Sequence, residues 1–303
     1  MQNKVVIIGT GNVGMSYAYA LLSQQEFVNE LVLIDKNIAD AEGEALDLED
    51  ALPFAPTNMK VRRGTYKDCK GAAMVAITAG ANQTPGETRM DLAQRNAVIV
   101  QDIVTQAMAA GFDGIFLVAT NPVDVMTYVA WHTSKLPKHK VVGSGTVLDT
   151  ARLRYALGQK LRTNPKNLHA YVVGEHGDSE FVAWSSANFS LQKVTEVLDK
   201  EGQSKIEDAV KNAAYKIIEK KGATYYGIGM CMARITEAIL GDENAVLPVS
   251  NFNERGQVFI GMPAAVGRTG VKERLPIELS AREQKYLDRS IDIIKKAVKS
   301  VIK

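Results

Sequence analysis

The sequence predicts an α/β protein whose first part is a doubly wound parallel sheet and whose second part is an α+β domain. Three observations support this prediction. Short, wholly apolar runs alternate with segments of helical spacing over residues 4–143, a glycine-rich turn follows the first run, and the alternation stops after Gly143. Strands that are apolar throughout are buried on both faces, as in a parallel sheet covered by helices. We therefore expect two domains, residues 1–143 and residues 144–303.

The elements of the first domain follow from its hydrophobic pattern. Short apolar runs predict strands at residues 4–8, 31–34, 60–65, 74–78, 115–119 and 140–143. Between them, apolar residues recur every three or four positions and predict helices at residues 11–23, 38–52, 91–110 and 123–135. Alternation of strands and helices favours βαβ units, which produce a parallel sheet.

The second domain has a less regular pattern. It predicts a helix at residues 148–161, a strand at 168–173, a long helical region over 203–240, strands at 245–249 and 258–260, and a terminal helix. Glycines predict interruptions of the long helical region near Gly222 and over residues 227–229. One face of the terminal helix is apolar, formed by Leu287, Ile291, Ile294 and Val298. Its lysines lie mostly on the other side, so we expect a solvated outer face.

Composition and charge narrow the class of protein. A chain of 303 residues is too long to fold around one small core, which agrees with two domains. Its 46% hydrophobic and 23% charged residues are ordinary for a soluble protein, and a net charge of +2 is too small to favour nucleic-acid binding. No apolar segment predicts a membrane span, and the early first strand leaves no room for a signal peptide. Two distant cysteines, Cys69 and Cys231, predict free buried thiols in a reducing cytoplasm and no metal site.

The turn at residues 9–14 has the pattern Gly-x-Gly-x-x-Gly between a strand and a helix. There Gly9 makes the tight turn, Gly11 lets a pyrophosphate approach the backbone, and Gly14 allows close helix packing. Asp35 ends the second strand about 20 residues further on, where it would bind an adenosine ribose and repel a 2′-phosphate. A structural turn beside a solvated aspartate is the alternative, but together these features predict a Rossmann domain that binds NAD. The predicted NAD-binding residues are Gly9, Gly11, Asn12, Val13, Gly14, Asp35, Thr78, Ala79, Gly80 and Asn121.

Two loops follow the carboxyl ends of predicted strands, where ligands of such folds bind. Residues 79–92 are rich in Gly, Pro and Asn, which predicts a mobile loop, and they carry Gln83 and Arg89. Residues 119–124 contain Asn121 before a proline, a candidate cis peptide bond. Taken singly, these side chains could be solvent contacts or turn formers.

Two further segments carry groups suited to acid–base chemistry. Asp149 and Arg152 lie three positions apart on a predicted helix, so both can face one cavity. His176 lies between glycines in a loop that follows an apolar run, and a histidine near a carboxylate suits proton transfer. Singly, the first two could form an ion pair on the helix surface and the third could be a structural histidine.

Together these five segments resemble the L-lactate/malate dehydrogenase family, most closely the bacterial L-lactate dehydrogenases, over essentially the whole chain. The matching motifs are GTGNVG, GETR, TNP, LDTAR and GEHGD. The resemblance implies that His176 exchanges a proton with the substrate and that Asp149 orients it. It also implies that Arg152 binds the substrate carboxylate with two prongs, that Arg89 polarises the reacting carbonyl, and that Asn121 helps to hold its oxygen. With Asp149 in that role, the acids of the histidine loop are expected to structure the loop or an interface; these are Glu175, Asp178 and Glu180.

The resemblance implies a cytoplasmic enzyme that reduces pyruvate to L-lactate with NADH, the last step of lactic fermentation. In malate dehydrogenases an arginine typically occupies the loop position of Gln83 and neutralises the second carboxylate of oxaloacetate. Gln83 would leave that carboxylate buried and unpaired, which is costly, and Thr224 matches the position near the substrate methyl. A malate or other 2-hydroxy-acid dehydrogenase is the alternative within this class. A catalytically silent NAD-binding structural protein is the alternative outside it, but such a protein would be expected to have lost His176 or Arg152.

Two residues outside the predicted cavity match a regulatory pattern. Arg154 lies about 200° of helix beyond Arg152 and cannot serve the same cavity, and His169 precedes the histidine loop. In bacterial L-lactate dehydrogenases the corresponding residues bind the phosphates of fructose 1,6-bisphosphate at a subunit interface. The resemblance therefore implies allosteric activation and a homotetramer. The alternative is a surface arginine beside a strand-edge histidine.

Overall fold

The structure, a computed structural model, describes residues 3–24, 27–56, 58–81, 86 and 88–302, with the side chain of Arg89 outside the description. Its strands are β1 (Lys4–Ile8), β2 (Glu30–Ile34), β3 (Lys60–Arg63), β4 (Met74–Ile77), β5 (Ile115–Val118), β6 (Val141–Gly143), β7 (Leu168–His169), β8 (Val172–Val173), β9 (Phe181–Val182), β10 (Asn188–Phe189), β11 (Gln192–Lys193), β12 (Ala245–Leu247), β13 (Ser250–Asn253), β14 (Val258–Gly261), β15 (Ala264–Gly267) and β16 (Gly270–Arg274). Its helices are α1 (Asn12–Gln24), α2 (Ile38–Ala51), α3 (Arg89–Ala109), α4 (Val123–Ser134), α5 (Val147–Leu161), α6 (Val194–Val197), α7 (Lys200–Lys211), α8 (Ala213–Lys221), α9 (Tyr226–Leu240) and α10 (Ala281–Val301).

A central sheet has the strand order β14-β13-β6-β5-β4-β1-β2-β3. Strands β1 to β6 pair in parallel, in the order 3-2-1-4-5-6 of a doubly wound nucleotide-binding sheet. The hairpin β13–β14 from the second half continues the sheet in antiparallel fashion, where Ser250 pairs with Gly143. The predicted fold class is confirmed, and the second half of the chain also contributes to the main sheet.

Each face of the sheet supports its own core, because side chains alternate along a strand. On β1, Val6 and Ile8 pack with α3, α4 and α10, whereas Val5 and Ile7 pack with α1 and α9. Helix α9 comes from the second half of the chain, yet it covers the same sheet face as α1. A separate apolar cluster lies in the second half, where α5 and α7 pack over β7 and β8.

The long helical region of the second half is divided differently from the prediction. The break at Gly222 is confirmed, since this residue ends α8 with φ +81°. The break predicted over residues 227–229 is wrong, because they lie inside α9. There Gly229 allows close helix packing: a Cβ at this position would lie 2.7 Å from the backbone carbon of Ser16 in α1. Strands β15 and β16 were not predicted, because residues 264–274 are rich in glycine and charge and carry a bulge.

The structure bears on the predicted state of the cysteines and on the predicted lack of a membrane span. Cys69 and Cys231 are buried free thiols, as predicted. Within the described part of the chain, no helix combines the length and apolar character that a membrane crossing requires.

Candidate active site

The glycine-rich turn joins β1 to α1 where the strand order of the sheet reverses. Gly9 has φ +109°, and a Cβ there would lie 2.3 Å from the backbone nitrogen of Ala79. A Cβ on Gly14 would lie 2.0 Å from the carbonyl oxygen of Gly9. Gly11 differs, since nothing lies within 4 Å of the corresponding point. The turn is therefore closed on the protein side and open in front of the N-terminus of α1, which fits a diphosphate bound by backbone N–H groups.

Asp35 lies beside this turn at the end of β2. Its Oδ2 accepts a hydrogen bond from the N–H of Thr10 at 2.8 Å, and its Oδ1 accepts one from the N–H of Asn37 at 3.0 Å. These bonds orient the carboxylate, and each oxygen keeps a further lone pair for a ribose hydroxyl. A fixed negative charge here would repel a phosphate on that ribose. The turn and Asp35 together fit NAD.

The carboxyl ends of β4 and β5 form the next part of the crevice. Asn96, from α3, is 2% exposed and joins them. It accepts a hydrogen bond from the N–H of Ala81 at 2.8 Å and donates one to the carbonyl oxygen of Asn121 at 2.7 Å. The Asn121–Pro122 bond is cis, as predicted. Sequence reasoning gave Asn96 no role, since nothing in its helical segment reveals that it faces two loops.

An acid–base pair lies at the start of α5. His176 Nδ1 is 2.6 Å from Oδ2 of Asp149, and Arg152 Nη1 donates to Oδ1 of the same carboxylate at 2.9 Å. The Asp149 side chain is 2% exposed, whereas those of His176 and Arg152 are 26% and 15% exposed. A buried carboxylate thus supports a partly accessible imidazole and guanidinium from behind. The imidazole is anchored through Nδ1, so Nε2 is the nitrogen that can serve a substrate.

The loop that carries His176 is held by two other elements. Gly174 exchanges backbone hydrogen bonds with Gly261 at the end of β14, at 2.9 and 3.0 Å. The N–H of His176 donates to Oδ2 of Asp124 in the first turn of α4 at 2.8 Å, and the hydroxyl of Ser250 on β13 donates to the other oxygen. The position of the imidazole therefore depends on α4, the β13–β14 hairpin and α5.

The charges of the pair stabilise one another. Burial lowers the pKa of His176, but the charge and the hydrogen bond of Asp149 outweigh it and raise the pKa to about 9. Burial opposes ionisation of Asp149, but His176 and Arg152 hold its pKa below the usual value. At neutral pH the cavity thus contains an imidazolium and a guanidinium over one buried carboxylate, which suits an anionic substrate that receives a proton.

Two models of one protein family match almost the whole chain. The model of the lactate/malate dehydrogenase NAD-binding domain matches residues 3–143, and that of the lactate/malate dehydrogenase alpha/beta C-terminal domain matches residues 146–303. The chain belongs to the lactate/malate dehydrogenase family. L-lactate dehydrogenase 1 of Bacillus cereus is 51% identical over 99% of this chain and 98% of its own. L-lactate dehydrogenase 2 of the same species is 50% identical over the same shares.

Solved structures of the lactate/malate dehydrogenase family superpose closely on this chain. A lactate dehydrogenase from a Medee basin deep-sea metagenome library has a TM-score of 0.96 and 48% identity, with 99% of each chain covered. The minor L-lactate dehydrogenase of Enterococcus mundtii, in its ligands-bound form, has a TM-score of 0.95 and 46% identity over 99% of this chain and 98% of its own. As a member of this family the chain is an NAD-dependent oxidoreductase, and NAD is its cofactor.

The predicted site residues of this dehydrogenase fall into four groups. The structure brings His176, Asp149 and Arg152 together, and it places Thr78, Ala79, Gly80 and Asn121 at the strand ends beside the glycine turn. Arg154 and His169 lie elsewhere, next to Ala170. Gln83 and the side chain of Arg89 lie outside the described residues, although the backbone of Arg89 begins α3.

Glu180, expected to structure the loop or an interface, also lies beside the acid–base pair. This residue is 5% exposed, and its carboxyl lies 3.9 Å from His176 Nδ1. Glu175, by contrast, accepts a hydrogen bond from Ser179 within the loop, as expected of a loop-structuring acid. The loop turns between residues 176 and 180, and that turn directs Glu180 back toward the imidazole. Sequence spacing could not distinguish the two glutamates, since the turn is set by contacts with distant elements.

The second and third glycines of the dinucleotide turn, Gly11 and Gly14, should respond differently to alanine. Gly14→Ala forces a Cβ against the carbonyl of Gly9 and should lower the stability of the fold by about 1–3 kcal/mol. Gly11→Ala has free space in the protein, so its melting temperature should match that of the parent, while NAD binding weakens about tenfold or more because the diphosphate loses close approach. Thermal unfolding and NAD titration measure both effects. Equal melting temperatures for the two variants would contradict the packing described here.

Proposed function

We propose that this chain is an L-lactate dehydrogenase, which interconverts pyruvate and L-lactate with NADH and NAD. The two Bacillus cereus relatives named L-lactate dehydrogenase support this substrate. The observation that carries the proposal is the 2.6 Å contact of His176 with Asp149, next to the guanidinium of Arg152. A proton donor and an anion site held by the same carboxylate suit a substrate whose carbonyl lies beside a carboxylate.

Each residue of the cavity has a chemical task in this proposal. Bound NADH supplies the hydride for the carbonyl carbon. His176 donates a proton to the carbonyl oxygen as negative charge builds there, and Arg89 stabilises the same charge when its loop lies over the cavity. Arg152 holds the carboxylate by two parallel hydrogen bonds, while Asn121 helps to hold the reacting oxygen. In the reverse direction, neutral His176 accepts the proton of the L-lactate hydroxyl.

The choice of pyruvate over oxaloacetate rests on Gln83 and Thr224. Gln83 carries no charge, so a second carboxylate enclosed by its loop would be desolvated without a partner, and about 1.4 kcal/mol of such a cost changes the rate tenfold. Thr224 precedes α9, whose first turn lies against α5: a Cβ on Gly227 would lie 2.8 Å from Leu148, the neighbour of Asp149. A small, uncharged lining on this side suits a methyl group.

A regulatory site at Arg154 and His169 is a further part of the proposal. Arg154 Nε donates to the carbonyl oxygen of Ala170 at 3.1 Å, and its guanidinium lies 4.9 Å from the ring centroid of Tyr171. His169 is exposed on β7, one residue from that carbonyl. Two basic groups on neighbouring backbone suit the phosphates of fructose 1,6-bisphosphate. Activation would require a homotetramer in which this surface joins subunits and shifts between two arrangements.

A domain division and a cellular location are also part of the proposed function. We place the division between an NAD-binding domain and a substrate domain at residues 143 and 144, which agrees with family matches to residues 3–143 and 146–303. Strands β13 and β14 cross this division to join the main sheet. An enzyme of this chemistry with two free thiols suits the reducing cytoplasm.

One assay tests the substrate and the effector together. NADH consumption is followed with pyruvate and with oxaloacetate, each with and without fructose 1,6-bisphosphate. We expect kcat/KM for pyruvate to exceed that for oxaloacetate by about 10²-fold or more, and the effector to lower the pyruvate concentration needed for half-maximal rate. The control is Gln83→Arg, which should shift the preference toward oxaloacetate. Faster reduction of oxaloacetate by the parent would overturn the proposed substrate, and an unmoved pyruvate curve would overturn the effector site.

A further inference from the structure

The buried carboxyl of Glu180 has no task in the chemistry proposed above. It is 5% exposed, and its Oε2 lies 3.9 Å from His176 Nδ1. One oxygen of Asp149, one of Glu180 and one ring nitrogen of His176 all lie within 4.8 Å of one another. The carboxyls of Glu180 and Asp149 therefore lie close together inside one buried cluster. Two carboxylates at this separation repel each other when both are ionised, whereas a protonated carboxyl can donate a hydrogen bond to its ionised neighbour.

The proton belongs on Glu180, because the surroundings of the two acids differ. Asp149 accepts hydrogen bonds from two cations, Arg152 and protonated His176, and so remains ionised. Burial, followed by the negative charge of Asp149, raises the pKa of Glu180 to about 8. A carboxylic acid that stays neutral at pH 7 can donate a hydrogen bond, which an ionised one cannot.

The charge of the substrate cavity depends on that proton. Within the cluster of Glu180, Asp149, Arg152 and His176, a neutral Glu180 leaves two cations and one anion, so one positive charge remains for the carboxylate of a substrate. With Glu180 ionised, two anions would balance the two cations, and the attraction for the substrate would weaken. We propose that Glu180 is a positioning residue that, as a neutral acid, hydrogen-bonds Asp149 behind His176 and preserves the net positive charge of the cavity. This inference rests on the proposed function of His176.

Other charged groups near Glu180 are consistent with this role. On the substrate side the neighbours are Asp149 and Arg152 from α5 and His176 from the loop. Asp124 of α4 accepts a hydrogen bond from the backbone N–H of His176. The thiol of Cys231 on α9 lies near Asp149 and Arg152. On its other side Glu180 lines a cavity of about 310 Å³ together with Asp178, Glu207, Lys211, Arg282 and Arg289. The groups that line this cavity carry charges of both signs, whereas the nearest charged groups on the substrate side, His176 and Asp149, lie within 4.8 Å of the Glu180 carboxyl. The titration of Glu180 is therefore coupled first to the acid–base pair.

Glu180→Gln tests the neutral acid, because an amide donates the same hydrogen bond and cannot ionise. At pH 7 its kcat/KM for pyruvate should stay within about threefold of the parent. Above pH 8 the two proteins should separate: kcat/KM of the parent falls with a limiting slope of two protons, from Glu180 and His176, and that of the variant falls with a slope of one. Glu180→Met, which fills the space without a donor, should lose about tenfold in kcat/KM at pH 7. Glu175→Gln is the matched control on the same loop and should keep the parent profile.

A readout independent of activity is the NMR titration of the four histidines in the ligand-free protein. The His176 signal should titrate about one pH unit lower in Glu180→Gln, because a neighbouring negative charge is missing. In the parent it should respond in two steps, as Glu180 and then His176 lose protons. A one-step response in the parent, a changed KM at pH 7 in Glu180→Gln, or superimposable profiles would overturn the inference. Failure of the proposed function is separate, since it would appear as full turnover in His176→Asn.

Discussion

Replacing His176 by asparagine should lower kcat for pyruvate reduction about 10³-fold, the range expected for loss of a general acid. Asparagine is similar in size and can still hydrogen-bond to Asp149, but its amide cannot transfer a proton to the substrate or accept one from it. Binding of NADH should be unchanged, because His176 lies on the α5 side of the cavity and not at the glycine turn. The measurement is stopped-flow reduction of pyruvate with saturating NADH, together with NADH titration by fluorescence.

Two comparisons make this result specific. His139→Asn removes an exposed histidine and should leave kcat unchanged. The parent enzyme should reduce pyruvate at a constant rate near neutral pH and lose activity above pH 8, with the acid–base step itself lost as the pH passes the His176 pKa of about 9. Oxidation of L-lactate needs the neutral imidazole and should show the opposite dependence. Turnover of His176→Asn within tenfold of the parent would remove the acid–base role.

Replacing Arg152 by lysine is expected to reduce kcat/KM for pyruvate by about 10³-fold although the positive charge is kept. A guanidinium can donate to Asp149 through Nη1, as it does here at 2.9 Å, and still present two N–H groups to a carboxylate. An ammonium is a point charge that cannot do both, and each lost charge-assisted hydrogen bond costs about 1.5–3 kcal/mol. A displaced substrate also lowers kcat, so KM and kcat should both change.

The matched control for Arg152→Lys lies on the same helix. Arg162 caps the C-terminus of α5 with φ 53°, and Arg162→Lys should keep the parent kinetics. Oxamate is a pyruvate-sized anion with an amide carbonyl next to its carboxylate. In the presence of NADH it should bind the parent and lose most of its affinity for Arg152→Lys. Unaltered oxamate binding would show that the carboxylate is held elsewhere.

The first half of the molecule could be predicted well from its sequence. Its strands are buried on both faces, so each is a continuous apolar run, as in Val5–Ile8 of β1. Glycines mark backbone that tolerates no Cβ, as at Gly9 and Gly14, and these local requirements are visible in the chain itself. The second half was harder, because glycine has two uses there. Gly222 ends a helix, whereas Gly229 lies inside one and packs against α1, a contact that belongs to the tertiary structure.

The sequence by itself determined which chemical groups this dehydrogenase has: the dinucleotide turn, the acidic residue after β2, and a histidine, an aspartate and an arginine in recognisable motifs. Only the tertiary structure decided how these groups are arranged. It brings Asp149 within 2.6 Å of a histidine that is 27 positions away, anchors that histidine through Asp124, and turns Glu180 into the same cluster while Glu175 stays in the loop. The reason is physical: the charge state of a buried acid depends on its neighbours in space, and those neighbours come from α4, α5 and the β13–β14 hairpin.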